Sequence, residues 1–172
     1  MDTIRNKVTE NQNLVTIDLE DYYPDQPRVH FDIKDWLYQG FVIKEKDFRI
    51  QVKQHNWAQY TGHLIAFTCS TDAIIPGWVY LLLTSAVAPY AAKSVVGSFK
   101  ILDTLLYQEV IHQLDLNKFQ EKSVIIKGCS QKPVPENAYL LLIEKLQPVV
   151  KSIMYGEACS AVPVFKKPRN SQ

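Results

Sequence analysis

The chain of 172 residues is 47% hydrophobic and 22% charged, and its net charge is +1. This composition is that of an ordinary globular protein, and the balanced charge excludes a surface built for nucleic acid or for an anionic membrane. The length predicts a single domain over residues 1–172, with 1–12 and 167–172 as loose ends. The polar opening segment lacks the apolar stretch of a signal peptide, so we expect a cytoplasmic protein with reduced thiols.

The N-terminal third predicts a mixed β/α extension. Residues 14–19 and 28–33 alternate between apolar and polar side chains, which is typical of strands. The segment between them, "EDYYPDQP", predicts a turn. Asp35 and Trp36 are expected to be a helix N-cap and a core aromatic, and residues 44–55 have the apolar spacing of a surface helix.

The rest of the chain predicts alternating strands and helices. The expected strands cover residues 63–69, 93–99, 123–129 and 151–156, and the expected helices cover 76–90, 100–114 and 135–150. Such alternation predicts an α/β fold with a mainly parallel sheet of about four or more strands and covering helices. The uncharged run 73–92 is long enough to span a bilayer, but its prolines, glycine and polar residues favour a helix of the α/β core.

Three cysteines share a local pattern. Cys69, Cys129 and Cys159 are each followed by serine and, a few residues later, by proline. Two of them end predicted strands and the third follows another, so all three are expected at the carboxyl edge of one sheet. If the first and third of these strands are neighbours, the thiols meet in one crevice. The serine hydroxyl is expected to serve as a hydrogen-bond donor to the thiolate.

Three thiolates are one ligand short of a tetrahedral zinc site or an iron–sulfur cluster. Asp72 and Glu157 are the candidate fourth ligands, and Asp35 is a weaker one. The spacing matches no standard zinc finger, because the chain has no pair of cysteines separated by two residues.

Two alternatives stay open. A single low-pKa cysteine could act as a nucleophile, and Cys129 is the best candidate because Lys127 and Gly128 precede it. The cysteines could instead be small buried hydrophobes without chemistry. Asp18, Glu20, Asp21 and Asp32 form an acidic set that predicts solvated turns, with a hard-metal site or a partner contact as the alternative.

Several longer stretches carry a family resemblance. The segments "TIDLEDYYP", "FDIKDWLYQG", "CSTDAIIPGWVY", "IKGC" and "PVVKSIMYGEACSAVPVFK" resemble the domain of unknown function 2480 family over nearly the whole chain. This resemblance implies an association with sulfur mobilisation and iron–sulfur assembly, and it assigns no catalytic residue.

The sequence therefore predicts a thiolate-based metal or iron–sulfur cluster binding protein, accessory to iron–sulfur assembly and partnered by assembly proteins. A reactive-cysteine carrier or transferase of persulfide sulfur is one alternative, and a non-catalytic interaction module is the other. No nucleic-acid or membrane partner is expected. Enzymatic activity and oligomeric state are left open.

Overall fold

The computed structural model of the chain describes residues 13–128, 131–157 and 160–168. Contacts divide the chain into two compact units. The first unit comprises Met1–Tyr23 and Thr104–Gln172, and the second unit comprises Pro24–Asp103. The single domain expected from the length stays a prediction.

The described residues confirm the α/β class and the placement of the predicted strands and helices. The strands are β1 Leu14–Ile17, β2 Arg28–Asp32, β3 Leu64–Thr68, β4 Lys93–Val96, β5 Ser123–Ile126, β6 Ser152–Tyr155 and β7 Val162–Lys166. The α-helices are α1 Glu45–Gln54, α2 Gly77–Val87, α3 Phe99–Gln113 and α4 Glu136–Leu146. Short 3₁₀ helices cover Leu19–Tyr22, Ile33–Trp36, Trp57–Tyr60 and Leu116–Phe119.

The first unit contains a four-stranded, mainly parallel sheet in the order β1-β5-β6-β7. Strands β1, β5 and β6 are parallel, and β7 runs antiparallel to β6. The sequence did not predict β7, because Pro163 interrupts the run; the strand lies at the sheet edge, where a proline is tolerated. In the core of the first unit, β1, β5 and β6 pack against the apolar faces of α3 and α4.

The second unit contains a three-stranded parallel sheet in the order β2-β3-β4. Strand β3 is fully buried from Leu64 to Phe67, as its uninterrupted apolar run predicts. The core is aromatic around Phe31, whose ring stacks on Trp57 with centroids 5.5 Å apart. Helices α1 and α2 contribute Phe48, Leu83 and further apolar side chains to the same cluster.

The expectation that the four later strands form one sheet, with the first and third side by side, is wrong. Strands β3 and β4 belong to the second unit, and β5 and β6 to the first. The reason is the pairing of the two N-terminal strands: β1 pairs with β5 and β2 pairs with β3. Each N-terminal strand thus adds an edge to a different sheet.

The helix N-cap expected at Asp35 is also wrong. The 3₁₀ helix Ile33–Trp36 begins after Asp32, whose Oδ1 accepts the backbone N–H of Lys34 at 3.0 Å. Asp35 lies inside this helix and is exposed. The capping residue is therefore the last residue of β2, which is the position where an aspartate can bond to the backbone two residues on.

The two units repeat one arrangement of backbone hydrogen bonds, with residues 59 positions apart in equivalent places. Gly97 N donates to Phe67 O, and Gly156 N donates to Ile126 O, both at 2.9 Å. The two glycines have φ angles of 118° and 115°, a region that favours glycine. Helices α1 and α3 end at residues 54 and 113, which differ by the same interval.

The cores repeat in the same way. Phe48 and Tyr107 are each 1% exposed, and Val52 and Ile111 are the next buried residues on the same helical faces. The first strands match at an interval of 14 residues, since Ile17 and Phe31 pair with equivalent residues of β5 and β3. The sequence carries a signal for this repeat that the predictions missed: "TIDLEDY" and "HFDIKDW" share two aspartates, apolar residues and a closing aromatic.

Candidate thiol sites at the carboxyl edges of the two sheets

The structure places one of the three predicted thiols directly. Cys69 immediately follows β3 in the second unit and is half-buried. It is therefore not fully buried, as the interpretation of the cysteines as small buried hydrophobes would require. Cys129 and Cys159 lie outside the described residues. The strands that precede these two, β5 and β6, are parallel neighbours, with Ile126 beside Tyr155. Cys69 therefore follows a strand of one sheet, and the other two cysteines follow adjacent strands of the other sheet.

The ends of β5 and β6 lie close together. A Cβ placed on Gly128 would be 3.1 Å from the hydroxyl oxygen of Tyr155, so a larger residue would displace the tip of that tyrosine. The sequence expectation of a close approach at Gly128 is confirmed in this form. The segments that continue toward Cys129 and Cys159 consequently start from the same point of the sheet edge.

Lys127 is paired with an acid. Its Nζ donates to Oδ2 of Asp18 at 3.1 Å. The pKa of Lys127 is raised by that hydrogen bond first, then by the charges of Asp18 and Glu157. Since Asp18 already balances the charge of Lys127, the case for Lys127 as the group that activates Cys129 is weakened.

The acidic N-terminal segment contacts the loop after β5. Asp18 Oδ1 accepts the backbone N–H of Glu20 at 3.0 Å, and this bond starts the 3₁₀ helix Leu19–Tyr22. Glu20 Oε1 accepts the backbone N–H of Gln131 at 3.0 Å, and its carbonyl oxygen accepts Lys132 Nζ at 3.2 Å. Asp18 and Glu20 therefore form hydrogen bonds with other groups of the protein and are not only solvated turn residues.

In the second unit, Cys69 lines an open cavity of about 380 Å³ at the carboxyl edge of β3 and β4. The other lining residues are Phe67, Thr68, Thr71, Ala73, Ile75, Tyr80, Val96 and Gly97. The sulfur of Cys69 lies 3.3 Å from Oγ1 of Thr71. Burial raises the pKa of Tyr80, and the charge of Cys69 raises it further, so the phenol lies near the thiol.

Asp32 holds the loop that follows Cys69. Its Oδ1 accepts the backbone N–H of Ser70 at 3.1 Å in addition to that of Lys34. Burial opposes ionisation of Asp32, but the Ser70 hydroxyl, the two N–H groups and the charge of Lys34 together lower its pKa to about 2. The serine after Cys69 thus donates to a carboxylate, and the hydroxyl within hydrogen-bond distance of the Cys69 sulfur belongs to Thr71.

The predicted fourth ligands lie in different places. Asp72 lines a second cavity of about 420 Å³ with Phe41 and Ile74; this cavity shares Ala73 with the cavity of Cys69, but Asp72 does not line the latter. Asp35 is exposed in the 3₁₀ helix of the second unit, and Glu157 lies at the end of β6 in the first. Within residues 13–128, 131–157 and 160–168, no three histidine, cysteine or acidic side chains are grouped to hold a metal ion.

Comparisons with known proteins identify the family and no closer relative. A family model described as protein of unknown function (DUF2480) matches residues 2–167, so the chain belongs to this family. No curated protein and no solved structure matches the chain. Among the described residues, no helix is both long and apolar enough to cross a membrane.

Proposed function

We propose that this member of the DUF2480 family binds a soft metal ion or an iron–sulfur cluster through cysteine thiolates, with Cys129 and Cys159 as ligands. The observation that carries the proposal is the parallel pairing of β5 with β6, the strands that precede these two cysteines. The contact between Gly128 and Tyr155 supports a common starting point for both loops. Carboxyl edges of parallel strands are also where α/β proteins bind their ligands.

The surrounding chemistry suits such a group. Thiolates select zinc and iron–sulfur clusters over hard cations. Glu157 lies two residues before Cys159 and offers a carboxylate oxygen, a ligand type that zinc accepts beside sulfur. A group held by two thiolates and one carboxylate keeps a position open for a partner or a substrate, as an accessory protein of iron–sulfur assembly in the cytoplasm requires.

Zinc titration of the metal-free protein tests the ligand set. Cys129→Ser and Cys159→Ser should each weaken zinc binding in calorimetry by at least about tenfold, because each removes one first-choice ligand. Cys69→Ser is the matched control for a thiol of the other sheet, and it also tests the predicted third ligand: an equal loss would add Cys69 to the set. Zinc binding that survives both Cys129→Ser and Cys159→Ser would refute the proposal.

The cavity beside Cys69 favours a second candidate, a reactive-cysteine carrier of persulfide sulfur. In that reaction a thiolate attacks the outer sulfur of a persulfide donor and forms a new S–S bond. The S–S bond of the donor breaks, and the donor leaves as its thiolate. The sequence favours Cys129 for this role, while Cys69 has room for a small substrate beside Thr71 and Tyr80. Incubation with a small-molecule persulfide, followed by peptide mass spectrometry, identifies any cysteine that gains one sulfur atom.

A further inference from the structure

We propose that acidic side chains at the start of the first 3₁₀ helix of each unit act as clamps that position the thiol-bearing loops. Asp32 positions the loop of Cys69, and Asp18 with Glu20 positions the loop of Cys129. The role of the clamps in ligand binding rests on the proposed function. Their effect on the loops themselves is independent of any metal.

The clamp of the second unit consists of one carboxylate with three donors. Asp32 accepts the N–H of Lys34 on its own 3₁₀ helix and both the N–H and the hydroxyl of Ser70 on the facing loop. Ser70 is the residue directly after Cys69, so the carboxylate fixes the backbone at the thiol. Hydrogen bonds to an ionised acceptor are about twice as strong as neutral ones.

The clamp of the first unit grips its loop on both sides of Cys129. Asp18 pairs with Lys127, two residues before the cysteine, at 3.1 Å. Glu20 accepts the N–H of Gln131, two residues after it, at 3.0 Å. Its backbone carbonyl also accepts the ammonium of Lys132. Lys127 and Gln131, on either side of residues 129–130, which lie outside the described residues, are therefore both bonded to acids of this short segment.

The repeat argues that the clamps are more than local capping. Asp18 and Asp32 are 14 positions apart, and each accepts the N–H two residues on at 3.0 Å. A helix-capping role requires no contact beyond this one. In both units, however, carboxylates of this segment also reach across to the loop after the neighbouring strand, and the two units do so with different residues. In both units, the loop after the neighbouring strand is thus held by a carboxylate of this segment, although the contacts are made by different residues.

Site-resolved alkylation of the metal-free, chelator-treated protein tests the clamps. Asp32→Ala should accelerate reaction of Cys69 with iodoacetamide by at least about fivefold, the factor that corresponds to about 1 kcal/mol for one hydrogen bond that holds the loop of this half-buried thiol in place. Reaction of Cys129 should change by less than about twofold in this variant. Glu20→Ala should give the reverse pattern, with acceleration confined to Cys129. The alkylation is carried out at neutral and at alkaline pH. Peptide mass spectrometry then gives a separate alkylation rate for each of the three cysteines.

Matched controls exist in both helices. Asp35→Ala and Asp21→Ala each remove an exposed acid from the same 3₁₀ helix and should leave both rates within about twofold, as surface changes do. Glu20→Gln keeps an oxygen acceptor and should leave the rate of Cys129 within about twofold of the wild-type rate. Equal acceleration of both thiols in either clamp variant, or no change at either, would overturn the proposal. Because no metal is present, this outcome is separate from the fate of the proposed function.

Discussion

Removing one hydroxyl group from the core of the first unit should loosen the helix that carries Asp18 and Glu20. Tyr107 of α3 is 1% exposed, and its hydroxyl donates to the carbonyl oxygen of Leu19 at 2.8 Å. Leu19 is equally buried and is the first residue of the 3₁₀ helix. The equivalent residue of the second unit is Phe48, which fills its site without a hydroxyl. Tyr107→Phe should therefore preserve ring packing and remove the hydrogen bond to Leu19.

The magnitude follows from the one hydrogen bond that is lost. The ring stays buried, so the hydrophobic contribution is unchanged. The Leu19 carbonyl is also an acceptor within the 3₁₀ helix Leu19–Tyr22, so the variant does not leave it without a partner. One intramolecular hydrogen bond contributes about 1 kcal/mol, and we expect a decrease of that size in the free energy of unfolding. For a chain of this size, the corresponding decrease in Tm is about 2–4 °C.

Urea denaturation of wild-type and variant protein measures this effect. The midpoint should fall while the slope stays constant, since little additional surface is exposed. Tyr22→Phe is the matched control, because Tyr22 lies in the same 3₁₀ helix and is 39% exposed; it should change stability by less than about 0.5 kcal/mol. A loss below about 0.5 kcal/mol for Tyr107→Phe would show that the buried hydrogen bond contributes little, and the reasoning would fail.

Two further predictions concern the repeated glycines and the low-pKa aspartate. Gly97→Ala and Gly156→Ala should each lower stability by at least about 1 kcal/mol, because both positions have φ near 115°. At Gly97 the new Cβ would also lie 2.6 Å from the end of the Ile101 side chain, which is 47% exposed and can move aside, so the two losses should be similar; thermal melts that show no loss for either variant would contradict this. The pKa of Asp32 is about 2 when folded, below its ordinary 3.8, so its stabilisation is complete above about pH 4 and is lost as pH falls toward 2. Asp32→Asn should therefore make the urea midpoint depend less on pH over that interval than it does in the wild type. A dependence on pH as steep as that of the wild type would count against the Ser70 contacts.

The order of elements could be predicted because each has its own periodicity. Strand β3 is a continuous apolar run, and α1 places Phe48 and Val52 one turn apart. The division into two sheets could not be predicted in the same way. It depends on β1 pairing with β5, whose residues lie more than a hundred positions away, and no local pattern specifies that choice.

The contacts around Cys69 could not be predicted from the sequence. The pattern of cysteine followed by serine predicted that the serine hydroxyl serves the thiol, yet the partner of Ser70 is Asp32. The sequence predicted Asp32 to be a solvated acid, with a hard-metal site or a partner contact as the alternative. That contact depends on β2 lying beside β3. The shared aspartates of "TIDLEDY" and "HFDIKDW" were the available signal for Asp18 and Asp32, because residues repeated at equivalent places of two units have equivalent surroundings.

The most direct test of the thiolate site is the iron, zinc and acid-labile sulfide content of protein purified without oxygen from iron-supplied cells, together with its visible absorption spectrum. We expect near-stoichiometric metal that is lost in Cys129→Ser and in Cys159→Ser. Iron with sulfide would identify a cluster, and zinc alone would identify a mononuclear site. Protein that carries neither metal nor sulfide, and that does not take up either on reconstitution, would contradict the proposed function.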